Sequence, residues 1–178
     1  MQSCMEQDGF YCIAQQHALG TPVMSRAFVK ELDDEKVPLA DRPISPHRNF
    51  VTASGKAAIE ANLNQFGAAH RSAIAQNDKQ AVAAALREVR YWSARRSNAE
   101  VVKPPSAPDR VAFATTVTLR REDGREQTFT IVGEDEADPS SGTVSYVSPV
   151  ARAAMGRAIR DSIDLSSQTA VILNIISS

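Results

Sequence analysis

The sequence predicts an α+β protein: an N-terminal antiparallel helical hairpin of coiled-coil type, then a small antiparallel β-sheet domain with one helix. Three observations carry this reading. Ile59, Leu63, Phe66, His70 and Ala73 recur at alternating steps of four and three, the spacing that lines one seam of a helix. Past a turn at Asn77-Asp78-Lys79-Gln80, the residues Val82, Ala85, Leu86, Val89 and Trp92 resume helical spacing. Beyond Pro104-Pro105-Ser106-Ala107-Pro108 the period drops to two, with Val111, Phe113, Thr115, Val117 and Leu119 on one face.

In chain order, residues 1–24 show neither period and carry no charged start or apolar stretch of a signal peptide, so a disordered leader is expected there. Residues 25–50 form an arm that is acidic at Glu31, Asp33, Asp34 and Glu35 and stiffened by Pro38, Pro43 and Pro46, a composition that opposes helix and sheet. Ile44-Ser45-Pro46-His47 is suited to lie along a folded neighbour.

The hairpin is assigned to 51–103. Thr52 or Ser54 caps its first helix, which runs to about Gln76. Gly67 inside it costs ~1 kcal/mol relative to alanine. Asn77 is read as the cap of the second helix, with Gln80 three residues on, and that helix is expected to reach about Val102. Arms of ~25 residues joined by so short a turn fold back on each other, each ~35–40 Å long. Tyr91 and Trp92 are read as packing at the base, against the next domain.

Residues 104–109 are a proline linker and 110–178 a second domain. Its expected elements are a strand over 111–121, a turn at Asp123-Gly124, a strand over 128–132 and a short strand over 143–147. A helix follows, capped by Ser148 with Pro149 in its first position and reaching about Ile159; an apolar closing strand over 170–176 lies mid-sheet.

The formal charge of −1 gives no general excess of cations for sequence-independent nucleic-acid binding. The distribution is uneven. Residues 79–103 hold Lys79, Arg87, Arg90, Arg95, Arg96 and Lys103 against Glu88 and Glu100, whereas 104–178 hold seven basic and ten acidic side chains, so a basic arm could be steered towards an anionic cleft.

Cys4 and Cys12 lack the partners of a four-ligand metal site and do not form a disulfide framework. His17, His47 and His70 are scattered over different segments. No nucleophile triad, phosphate-cradling glycine loop or paired metal-ligand histidines occur, which disfavours a hydrolase or transferase. No apolar run approaches the ~20 residues that span a bilayer, and a cytoplasmic protein without membrane association is expected.

Val111-x-Phe113, Thr116-Val117-Thr118-Leu119, Phe129-x-Ile131-Val132-Gly133, Glu136-Ala137-Asp138, Gly142-Thr143-Val144-Ser145, Ser148-Pro149-Val150-Ala151-Arg152-Ala153 and Gly156-Arg157 follow one another in a fixed order. As a set they resemble the C-terminal domain of the bacterial GreA/GreB family. Val51-Thr52 and Leu86-Arg87-Glu88-Val89-Arg90-Tyr91 are similar to that family's coiled coil. Together the likeness covers about two thirds of the chain.

The resemblance implies a C-terminal fold similar to FK506-binding proteins and a non-enzymatic accessory factor of transcription elongation. It also implies a monomer that docks on RNA polymerase, within an elongation complex holding DNA and RNA, at the rim of the secondary channel. Ser148, Pro149, Val150, Ala151 and Arg152 would form the docking edge. The family's hairpin tip carries several carboxylates that help hold a second Mg²⁺ in the polymerase active centre, where the metal activates water to cut backtracked RNA.

Here the tip is Ala75-Gln76-Asn77-Asp78-Lys79-Gln80, so Asp78 is the single candidate carboxylate, Asn77 and Lys79 flank it, and Lys79 opposes a cation. Mg²⁺ is commonly bound by one or two carboxylates plus phosphates. The expectation is therefore no cofactor of its own, Mg²⁺ shared only with the polymerase, and weak or absent stimulation of RNA cleavage, as in relatives with altered hairpins such as Rnk. Two further departures are Ala114, where the family often has glycine, and Arg160-Asp161, in place of a Gly-Asp step.

Two other classes remain open on the residues alone. A prolyl isomerase or chaperone-like binder would need an aromatic pocket from Phe113, Phe129 and Tyr146, and a plain coiled-coil module unrelated to transcription would use the same heptads.

Overall fold

The computed structural model describes residues 39–165 and 168–177. The leader and the acidic cluster of the arm lie outside the described residues.

Strand β1 (Asn49–Val51) leads through Thr52 into helix α1 (Ala53–Ala75). The Thr52 side chain accepts the Gly55 N–H, the N-cap expected from sequence. The seam is as read: Ile59 and Ala73 are buried, and Leu63, Phe66 and His70 are partly covered by helix α2 (Lys79–Ser97).

The turn at the tip differs from the expectation in one residue. Asn77 does not cap α2; it sits at φ +55°, and Asp78 is the cap, accepting the N–H groups of Gln80 and Ala81 through one oxygen, each at 3.0 Å. Asn77 N–H bonds to Ile74 O and Asp78 N–H to Ala73 O, both at 3.0 Å. This is the paired 5→2 and 6→1 closure that ends helices on a left-handed residue, where asparagine is the usual alternative to glycine. One residue ends α1 and the next begins α2, the tightest way to reverse the chain.

Helix α2 stops at Ser97 rather than Val102. Strand β2 (Ala99–Val101) follows and pairs in parallel with β1, Asn49 opposite Ala99 and Val51 opposite Val101. Three residues are too few to show alternation, and the pairing joins segments about fifty residues apart, so local spacing could not disclose it.

The second domain is a five-stranded sheet in the order β5-β4-β3-β7-β6, made of β3 (Thr115–Arg121), β4 (Glu126–Val132), β5 (Thr143–Ser145), β6 (Ser162–Leu165) and β7 (Gln168–Ser177). The β3–β4 hairpin turns at Asp123-Gly124, and β7 lies inside the sheet, as its apolar sequence requires. One face buries Val117, Leu119, Phe129, Ile131, Ile163, Ala170, Ile172 and Ile175 beneath Ala151 and Ala154 of helix α3 (Pro149–Ala154). The other face carries threonine pairs, Thr116 with Thr130 and Thr118 with Thr128, hydroxyl to hydroxyl at 2.7 and 3.0 Å.

Three expectations need correction. The first strand begins at Thr115, because Phe113-Ala114 form a turn with Ala114 at φ +57°. Helix α3 ends at Ala154, short of Ile159, because Gly156 turns left-handed at φ +77°. The sheet has five strands, not four; β6 lies between the helix and the closing strand, in a stretch too short to show alternation.

Candidate functional site

Three regions are candidates for the functional site: the hairpin tip, the start of α3, and the joint where the hairpin meets the sheet domain.

At the tip, Asn77, Asp78 and Lys79 are all exposed, and Ile74 one turn back is 56% exposed. Asp78 Oδ1 is committed to two backbone N–H groups of its own helix. The nearest chain neighbours offer amide groups from Gln76 and Asn77 and the ammonium of Lys79, and among the described residues no cluster of three or more His, Cys, Asp or Glu could hold a metal. A small hard cation needs several oxygen ligands, so these residues do not fit a metal centre by themselves.

The start of α3 is built as the sequence indicates. Ser148 Oγ accepts the Ala151 N–H at 3.3 Å and Pro149 occupies the first turn. Pro149 and Arg152 are exposed, Ser148 and Val150 are partly covered, and Ala151 is fully buried in the core. The Ala151 side chain is thus unable to face a partner, leaving four of the five sequence candidates on the surface. Beside them, Pro149, Val150 and Leu165 with Arg121, Gln127 and Asp164 line a shallow cleft of about 190 Å³.

At the joint Tyr91 meets the sheet domain as its sequence position indicated, but the acidic turn it meets is what local reasoning missed. The 3₁₀ turn Glu134–Glu136 presents three consecutive carboxylates to the hairpin base. Asp135 accepts the Tyr91 hydroxyl at 2.6 Å and the Arg95 guanidinium, whose other arm faces Glu134 at 3.8 Å. Burial, followed by the hydrogen bond to Asp135, pushes the Tyr91 phenol up to about 12. Glu136 accepts the Thr52 N–H at 2.9 Å and the Thr52 hydroxyl, tying the cap of α1 to the sheet domain.

Phe50 inserts its ring against Tyr146 and Phe113, with centroids 5.4 and 6.0 Å apart, and the Tyr146 hydroxyl donates to Arg48 O. Two of the three aromatics that a proline pocket would need are therefore filled by the chain's own Phe50. The third, Phe129, lies in the core.

The arm also reduces the free charge of α2. Arg42 pairs with Glu88 at 2.6 Å and stacks 3.7 Å above the Tyr91 ring, while Asp41 takes Arg90 at 2.6 Å. With Arg95 buried and Arg87 3.6 Å from Glu88, Lys79, Arg96 and Lys103 are the α2-region cations without an ion pair among the described residues. The basic face is smaller than its sequence count.

An antiparallel helical finger clasped to a five-stranded sheet domain through an acidic turn defines a two-part protein. Comparison with known proteins makes the class specific. The model of the family described as transcription elongation factor GreA/GreB, C-terminal, matches residues 105–177. The transcription elongation factor GreA of Sphingopyxis alaskensis is 30% identical over 146 residues, 82% of this chain and 85% of that protein. GreB of Neisseria meningitidis is 47% identical over 68 residues, 37% of this chain and 42% of the relative.

Among solved structures, the GreA factor homolog 1 (Gfh1) of Thermus thermophilus aligns at a TM-score of 0.36 and 15% identity, over 74% of this chain and 100% of that one. GreA/GreB from Nitrosomonas europaea aligns at 0.35 and 23%, over 71% and 98%. On the sequence relationships, the chain belongs to the GreA/GreB family of transcription elongation factors. Among the described residues no helix is long and apolar enough to cross a membrane.

Proposed function

We propose that this protein is an elongation regulator that binds RNA polymerase within the transcribing complex. It docks by its sheet domain and extends the hairpin towards the secondary channel. It acts as an accessory factor with weak or no stimulation of RNA cleavage. The observation that carries the last point is the state of Asp78, whose capping oxygen already serves two N–H groups and whose neighbours bring an ammonium rather than further carboxylates. Any Mg²⁺ in the reaction belongs to the polymerase.

The hairpin suits such a role mechanically. At 1.5 Å per residue, α1 is ~34 Å long, and the Asp135 and Glu136 contacts fix its base, so the finger is presented in a defined direction. Ser148, Pro149, Val150 and Arg152 supply the docking edge at one end of the sheet domain.

Gel filtration of the full chain with purified bacterial RNA polymerase tests the reading. Co-elution at a defined stoichiometry, lost when Pro149 and Arg152 are both replaced by glutamate in a chain that still melts cooperatively, is the expected result. Separate elution of the wild-type chain would refute it.

A further inference from the structure

Helix α3 ends abruptly, and the loop that follows is tied down on both sides. Gly156 N–H bonds to Val111 O and Val111 N–H to Arg157 O, both at 2.8 Å, Arg110 Nη1 donates to Gly156 O at 3.0 Å, and Arg160 N–H bonds to Ile172 O at 2.8 Å. Arg110 and Ala158 form an antiparallel bridge. Asp161 turns inward and accepts the Ala158 N–H at 2.8 Å. Its shape is thereby set before any partner arrives, which lowers the ordering cost of binding.

The surface of this loop is rich in cations. Arg110, Arg152, Arg157 and Arg160 are exposed, and none is in an ion pair among the described residues, although Asp109 adjoins Arg110 in sequence. Elsewhere Arg42, Arg48, Arg90, Arg95 and Arg125 each meet a carboxylate, although among the described residues Arg120 and Arg121 of the same domain do not. Four of the seven basic residues of an acidic segment therefore gather at one end of it, around Met155 and Ile159, which are 38% and 44% exposed.

Arg160 is also held at φ +75°, a left-handed backbone that strains a side chain and would not strain glycine. An outlier that is costly to keep points to a use for its side chain.

We propose that Met155, Arg157, Ile159 and Arg160, with Arg110 bridged beside them, form a second contact surface of the docking domain, fitted to an acidic protein surface with an apolar centre. The inference rests on the polymerase-binding reading and deepens it by assigning the chemistry of the surface bound. The composition selects protein over nucleic acid. Arginine and methionine are enriched in the buried centres of protein interfaces and lysine is depleted there, whereas a phosphate backbone rewards cations alone and gives nothing to exposed Met155 and Ile159.

The test titrates the labelled full chain with purified RNA polymerase, using Arg157→Glu/Arg160→Glu, Met155→Ser/Ile159→Ser and, as a control with the same charge change elsewhere, Arg120→Glu/Arg125→Glu. Both patch variants are expected to weaken binding by about tenfold or more, with the control close to wild type and all three still folded. Arg160→Gly is expected to melt higher while binding more weakly, a split that a purely structural role would not give. Patch variants that bind as wild type does would overturn the inference while leaving the docking reading intact, and a wild type that does not bind at all would overturn both. Loss confined to binding of free duplex DNA or RNA would replace the protein partner with nucleic acid.

Discussion

Arg95, on the last turn of α2 and 2% exposed, donates through Nε to the carboxylate of Asp135 on the acidic turn of the sheet domain. A guanidinium that deep is tolerated because a carboxylate meets it, and removing one partner strands the other. Arg95→Ala is expected to cost ~3–5 kcal/mol, read as a lower midpoint in urea. Asp135→Asn in the same background should cost much less than it does alone. Equal costs in the two backgrounds would mean the pair is not coupled.

Glu136 and Gly133 form the other half of the joint. A Cβ on Gly133 would stand 2.6 Å from Phe50 O, a backbone atom that cannot swing away. Gly133→Ala is expected to destabilise by ~1–3 kcal/mol. A Cβ on Gly55 would meet the Glu136 carboxylate at 2.0 Å, so Gly55→Ala should expel Glu136 from Thr52 despite the helix propensity it gains. Its signature is a widened spread of hairpin-to-sheet distances between paired spin labels, with helix content retained.

Ala114 and Arg160 both occupy left-handed backbone, at φ +57° and +75°. Glycine at either relieves ~1–2 kcal/mol of strain but loses ~0.5–1 kcal/mol more backbone entropy. Arg160 is exposed, so Arg160→Gly should stabilise by a few tenths to ~1 kcal/mol. Ala114 is 1% exposed, and losing its buried methyl removes ~0.8 kcal/mol, so Ala114→Gly should be close to neutral. Denaturant melts of the two variants give the comparison; a larger gain at Ala114 than at Arg160 would contradict it.

Tyr91 provides a pH signature. Its phenol is raised from 10.0 to about 12 in the folded chain, mainly by burial and then by the bond to Asp135. The folded form holds its proton more tightly, so the contribution is fully present below about pH 10, where the unfolded phenol titrates. It declines between pH 10 and 12 and is gone above that window. Burial raises the Tyr146 phenol as well, and absorbance titration of tyrosinate should show Tyr91 contributing a late phase of its own. Tyr91→Phe should remove that phase and flatten the loss of stability across the window.

Much of this architecture was legible because its determinants are local. The seam from Ile59 to Ala73, the Thr52 and Ser148 caps, the Asp123-Gly124 turn and the apolar run that makes β7 an interior strand each need only a few neighbouring residues. The family resemblance singled out Ala114 and Arg160 as standing where glycine is usual, and both turn out to occupy left-handed backbone.

What escaped was set by distant partners. The end of α2 is fixed by pairing with β1, and β6 is a four-residue strand recognised only by its register with β7. The acidic triplet Glu134-Asp135-Glu136 reads as surface charge until Arg95, Tyr91 and Thr52, 40 to 84 residues away, are folded onto it. The basic face of α2 was overestimated for the same reason, since Asp41 and Arg42 come back to pair with Arg90 and Glu88.

On the proposed function, the tip decides between cutting and modulating. A purified elongation complex, backtracked and radiolabelled at the RNA 5′ end, can be incubated with saturating wild-type chain and sampled over time. Transcripts are expected to keep their length while the rate of further extension changes. Prompt shortening of the RNA, abolished by Asp78→Ala, would contradict it.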